Sequence, residues 1–186
     1  MTRELKLFNE AKIILDLCGG TGAWSKPYRD AGYDVRLIDL PSDVRLLEFD
    51  LKLKVHGILA APPCTIFSYA RQRYGLPTED EILSALSIVD ACLRAVIVYK
   101  PKWWALENPR NKLRRYLGPA PMTFEQWWFG DGQEKPTCIW GDYNLPFFVA
   151  GKRTKMSTYK TKKQNADSKD AITPRGFAKA FFEANK

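Results

Sequence analysis

Histidine is almost missing from this chain: of 186 residues only His56 is one. A mechanism that needs a histidine base is nearly excluded. Cysteine is sparse and scattered. Cys18, Cys64, Cys92 and Cys138 make no C-x-x-C pair, so neither a zinc site nor a disulfide framework is indicated, and no metal is expected. A G-x-x-x-x-G-K-[ST] run is lacking, which argues against a nucleoside triphosphate ligand. The sequence shows no internal repeat, no N-terminal signal pattern and no apolar run that reads as long enough to span a bilayer. The expectation is a cytoplasmic protein with no membrane partner. Length favours one domain over residues 1–186, with a monomer as the default.

What is abundant is positive charge and aromatic surface. The net charge is +8, and aromatics make up 13% of the residues. Six lysines and one arginine against Asp167 give the stretch from Lys152 to Lys169 a local +6, leaving +2 for the rest. A second basic cluster, Arg110, Lys112, Arg114 and Arg115, follows Pro109. Lysine runs are often only solvated surface, but two clusters flanking candidate chemistry point to a polyanion, nucleic acid before membrane.

Apolar runs alternate with helical patterns. Lys12–Leu17 reads as a strand and Cys18-Gly-Gly-Thr-Gly22 as a glycine turn. A helix over 24–31 follows, with Pro27 in its first turn and Gly32 closing it. Strands are expected over 33–38, 46–49, 56–61 and 103–106, the last ending at Glu107-Asn108-Pro109. Between the last two, Thr78 caps a helix whose apolar residues recur at helical spacing to Tyr99, with Cys92 inside it as packing. After a short basic helix, strands over 124–129 and 137–140 flank a Gly/Asp turn, and Cys138 reads as core. Residues 151–170 are polar and aperiodic, a long mobile loop. Thr173-Pro174 then opens an amphipathic helix with Phe177, Ala178, Phe181 and Phe182 inward. The alternation predicts an α/β protein with a mostly parallel central sheet flanked by helices.

Three strand ends carry chemistry-bearing residues. The glycine turn follows the first strand and opens a helix, and Asp39 lies 17 residues beyond Gly22, a position from which a carboxylate binds ribose hydroxyls. Asp50 is placed to meet an adenine edge, and Trp24 to stack on the adenine. Pro62-Pro63 stiffens the chain before Cys64. A cysteine after a turn is ordinarily a small core residue. Here it shares one sheet edge with the Glu107 carboxylate, and a thiol beside a carboxylate suits attack on an electron-poor ring.

At these residues the chain resembles the DNA cytosine-5 methyltransferases. Asp16-Leu-Cys-Gly-Gly-Thr-Gly22 is similar to their cofactor motif, and Pro62-Pro63-Cys64-Thr-Ile-Phe-Ser68 to their Pro-Cys nucleophile motif. Glu107-Asn108-Pro109 is similar to their Glu-Asn-Val, with proline for valine, and Gln133-Glu-Lys-Pro-Thr137 stands where they have Gln-x-Arg-x-Arg. Thr173-Pro-Arg-Gly-Phe-Ala178 is a weaker counterpart of the last cofactor motif. The resemblance implies a Rossmann-like methyltransferase fold that binds S-adenosylmethionine, leaves S-adenosylhomocysteine and acts on double-stranded DNA. It gives the catalytic set as Cys64, Glu107, Asn108 and Lys135. Cys64 attacks C6 of a flipped cytosine, Glu107 meets N3, Asn108 braces the loop, and Lys135 stands in for an arginine. The cofactor set is Asp16, Cys18, Gly19, Gly20, Gly22, Trp24, Asp39, Leu40, Asp50, Pro62 and Thr173. The nucleic-acid set is Ser68, Arg71, Arg73, Arg110, Lys152, Arg153, Lys155, Lys160, Lys162 and Lys163. A reactive Cys64 needs a lowered pKa, for which Arg71 or Arg73 is the candidate neighbour.

Departures from the pattern bear on substrate. Lys135 and Thr137 replace both arginines, losing a bidentate contact. About 30 residues, Asp142 to Ala171, stand where larger members carry a target-recognition domain, as suits a compact phage or mobile-element enzyme. An RNA cytosine substrate, a non-catalytic nucleic-acid-binding relative and an enzyme using a modified cofactor remain open alternatives.

Overall fold

The computed structural model describes residues 12–130, 135–148 and 172–186. The expected lead-in, the loop over 151–170 and most of the Gly/Asp turn lie outside these residues. Six strands form one sheet: β1 (Ile13–Leu17), β2 (Asp34–Ile38), β3 (Val55–Ala60), β4 (Trp103–Pro109), β5 (Met122–Glu125) and β6 (Pro136–Asp142), in the order β2-β1-β3-β4-β6-β5. β1 runs parallel to β2 and β3, and β3 to β4, whereas β6 is antiparallel to both β4 and β5. The helices are α1 (Lys26–Asp30), α2 (Glu79–Tyr99), α3 (Arg114–Leu117) and α4 (Arg175–Ala184). This is the expected mostly parallel α/β architecture.

Side-chain alternation along the strands builds two cores. On one face Ile14, Leu59, Ala105 and Ile139 pack with Trp24, Tyr28, Phe177 and Phe181. On the other, Leu15, Leu17, Ile58 and Leu106 pack with Val89, Cys92 and Ala95 of α2, alongside Cys138 and Trp140. Gly57 is required where it stands, because a Cβ there would lie 2.1 Å from the Trp103 ring.

Several elements differ from the sequence reading. The strand expected over 46–49 does not form. Val44–Leu46 makes a 3-10 turn capped by the Asp43 carboxylate, and Leu46 faces solvent, so β2 remains the edge strand of the sheet. The strand expected over 124–129 splits into β5 and a 3-10 turn, Gln126–Phe129, which ends at Gly130 with φ of 87°. Trp127 and Trp128 therefore sit on a turn, half-buried, rather than on a strand. β4 continues through Pro109, so Glu107 and Asn108 are strand residues paired with Ile139 and Cys138 of β6.

Thr78 and Glu81 form a reciprocal capping box at the start of α2. Contrary to the sequence expectation, α2 is long and apolar enough to cross a membrane by length and composition. In the structure it covers the sheet through Val89, Ala91, Cys92 and Ala95, and presents the Asp90–Arg94 ion pair outward.

Candidate active site

The strand order reverses about β1, and open α/β sheets place ligands outside the strand ends at such a switch point. There the end of β3 is tied to the end of β1 by Ala61 N–H donating to the Leu17 carbonyl at 2.9 Å. The glycine turn and the Pro-Pro-Cys segment are thus neighbours.

The turn after β1 is wound tightly over Asp16. Cys18, Gly20 and Gly22 take φ values of 55°, 54° and 68°. Asp16 is fully buried; its Oδ2 accepts from the Ser25 hydroxyl, while Oδ1 has no partner among the described residues. Burial raises its pKa to about 6, against the opposing Ser25 hydrogen bond and the Arg29 charge. A Cβ on Gly19 would collide with the Asp16 carboxylate at 2.4 Å, so only glycine permits this approach. Gly20 N–H donates to Asp39 Oδ2 at 2.6 Å, and Leu40 N–H to Asp39 Oδ1 at 2.8 Å. Asp39 therefore pins the turn from the end of β2, with Leu40 83% exposed beside it. An orphaned buried carboxylate oxygen under a turn that excludes a Cβ is an observation that fits a cradle for a cationic, nucleoside-bearing cofactor.

One expected cofactor contact does not hold. Trp24 is 1% exposed and packed against Phe177 and Phe181, so it fills the core and has no face to offer an adenine. Asp50 is exposed on a turn where its carboxylate accepts from Lys52 N–H, because the strand expected to carry it is absent. Cys18 packs against Cys92, whose thiol is pushed up by a hydrogen bond with Cys18 and by burial.

At the end of β3, Pro62 is buried, Pro63 exposed and Cys64 half-buried. Phe67 N–H donates to the Cys64 carbonyl at 3.1 Å and Lys112 N–H to the Phe67 carbonyl at 3.0 Å, closing the segment against the chain after β4. Asn108, itself 1% exposed, donates Nδ2–H to the Pro62 carbonyl at 2.9 Å. Glu107 precedes it on β4, and Lys135 leads into β6. Cys64, Glu107 and Lys135 lie close enough for their charges to act on one another. Burial pushes the Cys64 thiol up and the Glu107 charge adds to this, opposed by Lys135 and a backbone hydrogen bond. Burial likewise raises Glu107, with Lys135 opposing.

The expectation that Arg71 lowers the Cys64 pKa is overturned. Arg71 forms a 3.0 Å ion pair with Glu81 and donates to the Tyr74 and Gly75 carbonyls, so it clips the following turn, Tyr69–Tyr74, to the start of α2. Its guanidinium is committed to the fold rather than offered to phosphate. Ser68 is half-buried next to this turn, and Arg110 is exposed after β4. The Arg73 side chain and Lys152, Arg153, Lys155, Lys160, Lys162 and Lys163 lie outside the described residues.

Beside Glu107 a cleft opens to solvent, and its lining includes Phe124, Gln126, Lys135, Thr173 and Phe177. Thr173 thus stands at the Glu107 cleft. Thr137, also on its wall, donates its hydroxyl to the Lys135 carbonyl at 3.0 Å, bracing the residue that carries the charge. Sequence reasoning missed Gln126, Phe124 and Phe177 as lining. The one available signal was a polar residue inside the aromatic run Phe124–Phe129.

No protein-family model matches this chain, and no curated protein does. Among solved structures, an E. coli protein described as a "putative DNA modification methyltransferase encoded within prophage" matches with a TM-score of 0.53 at 16% sequence identity. The match covers 70% of this chain and 46% of that one, so this chain spans about half that protein's length. At such identity the likeness is one of fold.

Proposed function

We propose that this chain is an S-adenosylmethionine-dependent DNA cytosine-5 methyltransferase. The observation that carries the reading is the convergence of Cys64, Glu107 and Lys135, from three separate segments, next to the glycine turn of β1. The fold shared with a described DNA-modifying methyltransferase supports it, as does the net charge of +8. The sheet-end position suits a base extruded from the duplex.

In this reading Asp16, Gly19, Gly20, Asp39 and Leu40 hold the cofactor. When bound there, S-adenosylmethionine supplies an electrophilic methyl group to C5 of the base and leaves as S-adenosylhomocysteine. The protein's own residues do the rest. The Cys64 thiol gives its proton to solvent water and its sulfur bonds to C6, while the C5–C6 π electrons move toward C5. Glu107, whose pKa is raised by burial, takes up a proton when the base is bound, donates it to N3 and so stabilises the ring. Lys135 balances the local negative charge. After methylation the C5 proton passes to solvent water, its C–H electron pair re-forms the C5–C6 double bond and the sulfur–C6 bond breaks, returning the thiolate. The raised thiol pKa keeps Cys64 protonated until substrate alters its surroundings.

Duplex DNA containing 5-fluorocytosine tests this, because fluorine at C5 blocks the final elimination. With S-adenosylmethionine, wild type forms a denaturation-resistant adduct and Cys64→Ser forms none. An adduct on RNA but not DNA moves the substrate to RNA. No adduct on either supports a non-catalytic nucleic-acid-binding protein instead.

A further inference from the structure

The cleft beside Glu107 contains a polar group that the mechanism above does not use. Gln126 opens the 3-10 turn after β5, and the residue is only 3% exposed although its side chain lines the cleft. Among the described residues no hydrogen bond occupies its amide. The amide is not sealed from solvent, so it opens on the cleft, where a ligand can complete it.

Its scaffold is rigid. Phe124, two residues earlier, stacks on Phe177 of α4 with ring centroids 4.4 Å apart and an interplanar angle of 25°. Phe129, three residues later, packs edge-on against Phe124 at 5.1 Å and against Phe177 at 5.2 Å. The turn that carries Gln126 is therefore held at both ends by an aromatic cluster, and its amide is preorganised rather than swung in.

The cleft's lining defines what meets it. It opens to solvent beside Glu107, so a base edge that meets Glu107 there also meets the wall that Gln126 forms. Cytosine presents there an exocyclic amino donor beside the N3 and O2 acceptors. Glu107, acting as a donor to N3, leaves the adjacent amino group in need of an acceptor, and Lys135 has only donors to give. A glutamine amide oxygen is uncharged over the whole working pH range and accepts a hydrogen bond.

We propose that Gln126 is a substrate-binding residue whose amide oxygen accepts a hydrogen bond from the exocyclic amino group of the target cytosine. The assignment rests on the cytosine-5 reading. It makes Gln126, buried on a braced turn, the group that registers the base against Cys64 and Glu107.

The test crosses two proteins with two probe bases. Wild type and Gln126→Leu, a change of similar shape, are each offered duplexes with 5-fluorocytosine or 5-fluoropyrimidin-2-one, which lacks the amino group. Adduct formation rates are measured with S-adenosylmethionine present. The expected result is a roughly three- to tenfold loss in Gln126→Leu on 5-fluorocytosine, the size of one neutral hydrogen bond, and equal rates for the two proteins on the pyrimidinone. Equal losses on both bases would show a structural role and overturn the assignment, as would no loss on either. No adduct from wild type on either base would instead overturn the cytosine-5 reading itself, and the assignment with it.

Discussion

Cys64 and Glu107 hold opposite stakes in the same charge. A negative Glu107 raises the Cys64 pKa, and Lys135 lowers it. Glu107→Gln removes the raising influence, so the thiol pKa falls and the thiolate fraction at neutral pH grows. Iodoacetamide should therefore alkylate Cys64 roughly two- to tenfold faster in Glu107→Gln than in wild type near pH 8, with the rate–pH profile displaced toward acid. Lys135→Ala should displace it toward alkali. A slower or unchanged Glu107→Gln reaction would separate the two groups. The pairing of a cysteine with a carboxylate at one sheet edge was legible in the order Pro62-Pro63-Cys64 then Glu107-Asn108. The direction of the thiol shift was not, because it depends on burial and on Glu107 being nearer in effect than Arg71. The sequence offered Arg71 as a cation close to Cys64 along the chain; folding spends it on Glu81.

The segment from Pro62 to Thr78 is an element held from outside rather than by its own ladder. Asn108 bonds the Pro62 carbonyl, Lys112 bonds the Phe67 carbonyl, and Arg71 reaches Glu81 of the capping box. Of these, Asn108 is the buried anchor. Asn108→Ala leaves the Pro62 carbonyl without its donor and should cost about 1–3 kcal/mol in unfolding free energy by urea titration. Amides of residues 64–68 should exchange faster than those of β3 in the same variant. A loss of stability spread evenly over β3 and this segment would make Asn108 an ordinary core residue instead. Element identity was largely readable from sequence. Strands with strict apolar runs and the long helix with Thr78 at its start came out where their patterns put them. The failures share one cause: 46–49 and 124–129 are short apolar runs whose fate depends on a sheet neighbour that no local pattern reveals. Trp24 failed likewise, since its partners Phe177 and Phe181 lie some 150 residues further along the chain.

Over the whole molecule, charge is distributed as unevenly as apolar surface. Of the net +8, the stretch from Lys152 to Lys169 contributes +6 by its composition alone, and the remainder is close to balanced. A uniform basic surface would attract DNA everywhere; a concentrated one lends orientation as well as affinity, because neutralised phosphates release counterions at one place. Binding that depends on this stretch must weaken steeply with salt, by about 0.9 in the log–log slope for each phosphate engaged. Replacing Lys152, Arg153, Lys155, Lys160, Lys162 and Lys163 with glutamine should therefore flatten the slope by up to about 5 and weaken duplex binding at low salt far more than at high salt. Fluorescence anisotropy of labelled duplexes across a salt series reads both quantities. The loss should be uniform across duplex sequences, since phosphate contacts position the protein without reading bases. An unchanged slope would make the lysine run a solvated surface and shift the phosphate contacts to Arg110 and its neighbours. A loss that varied with duplex sequence would instead give these side chains a part in base recognition.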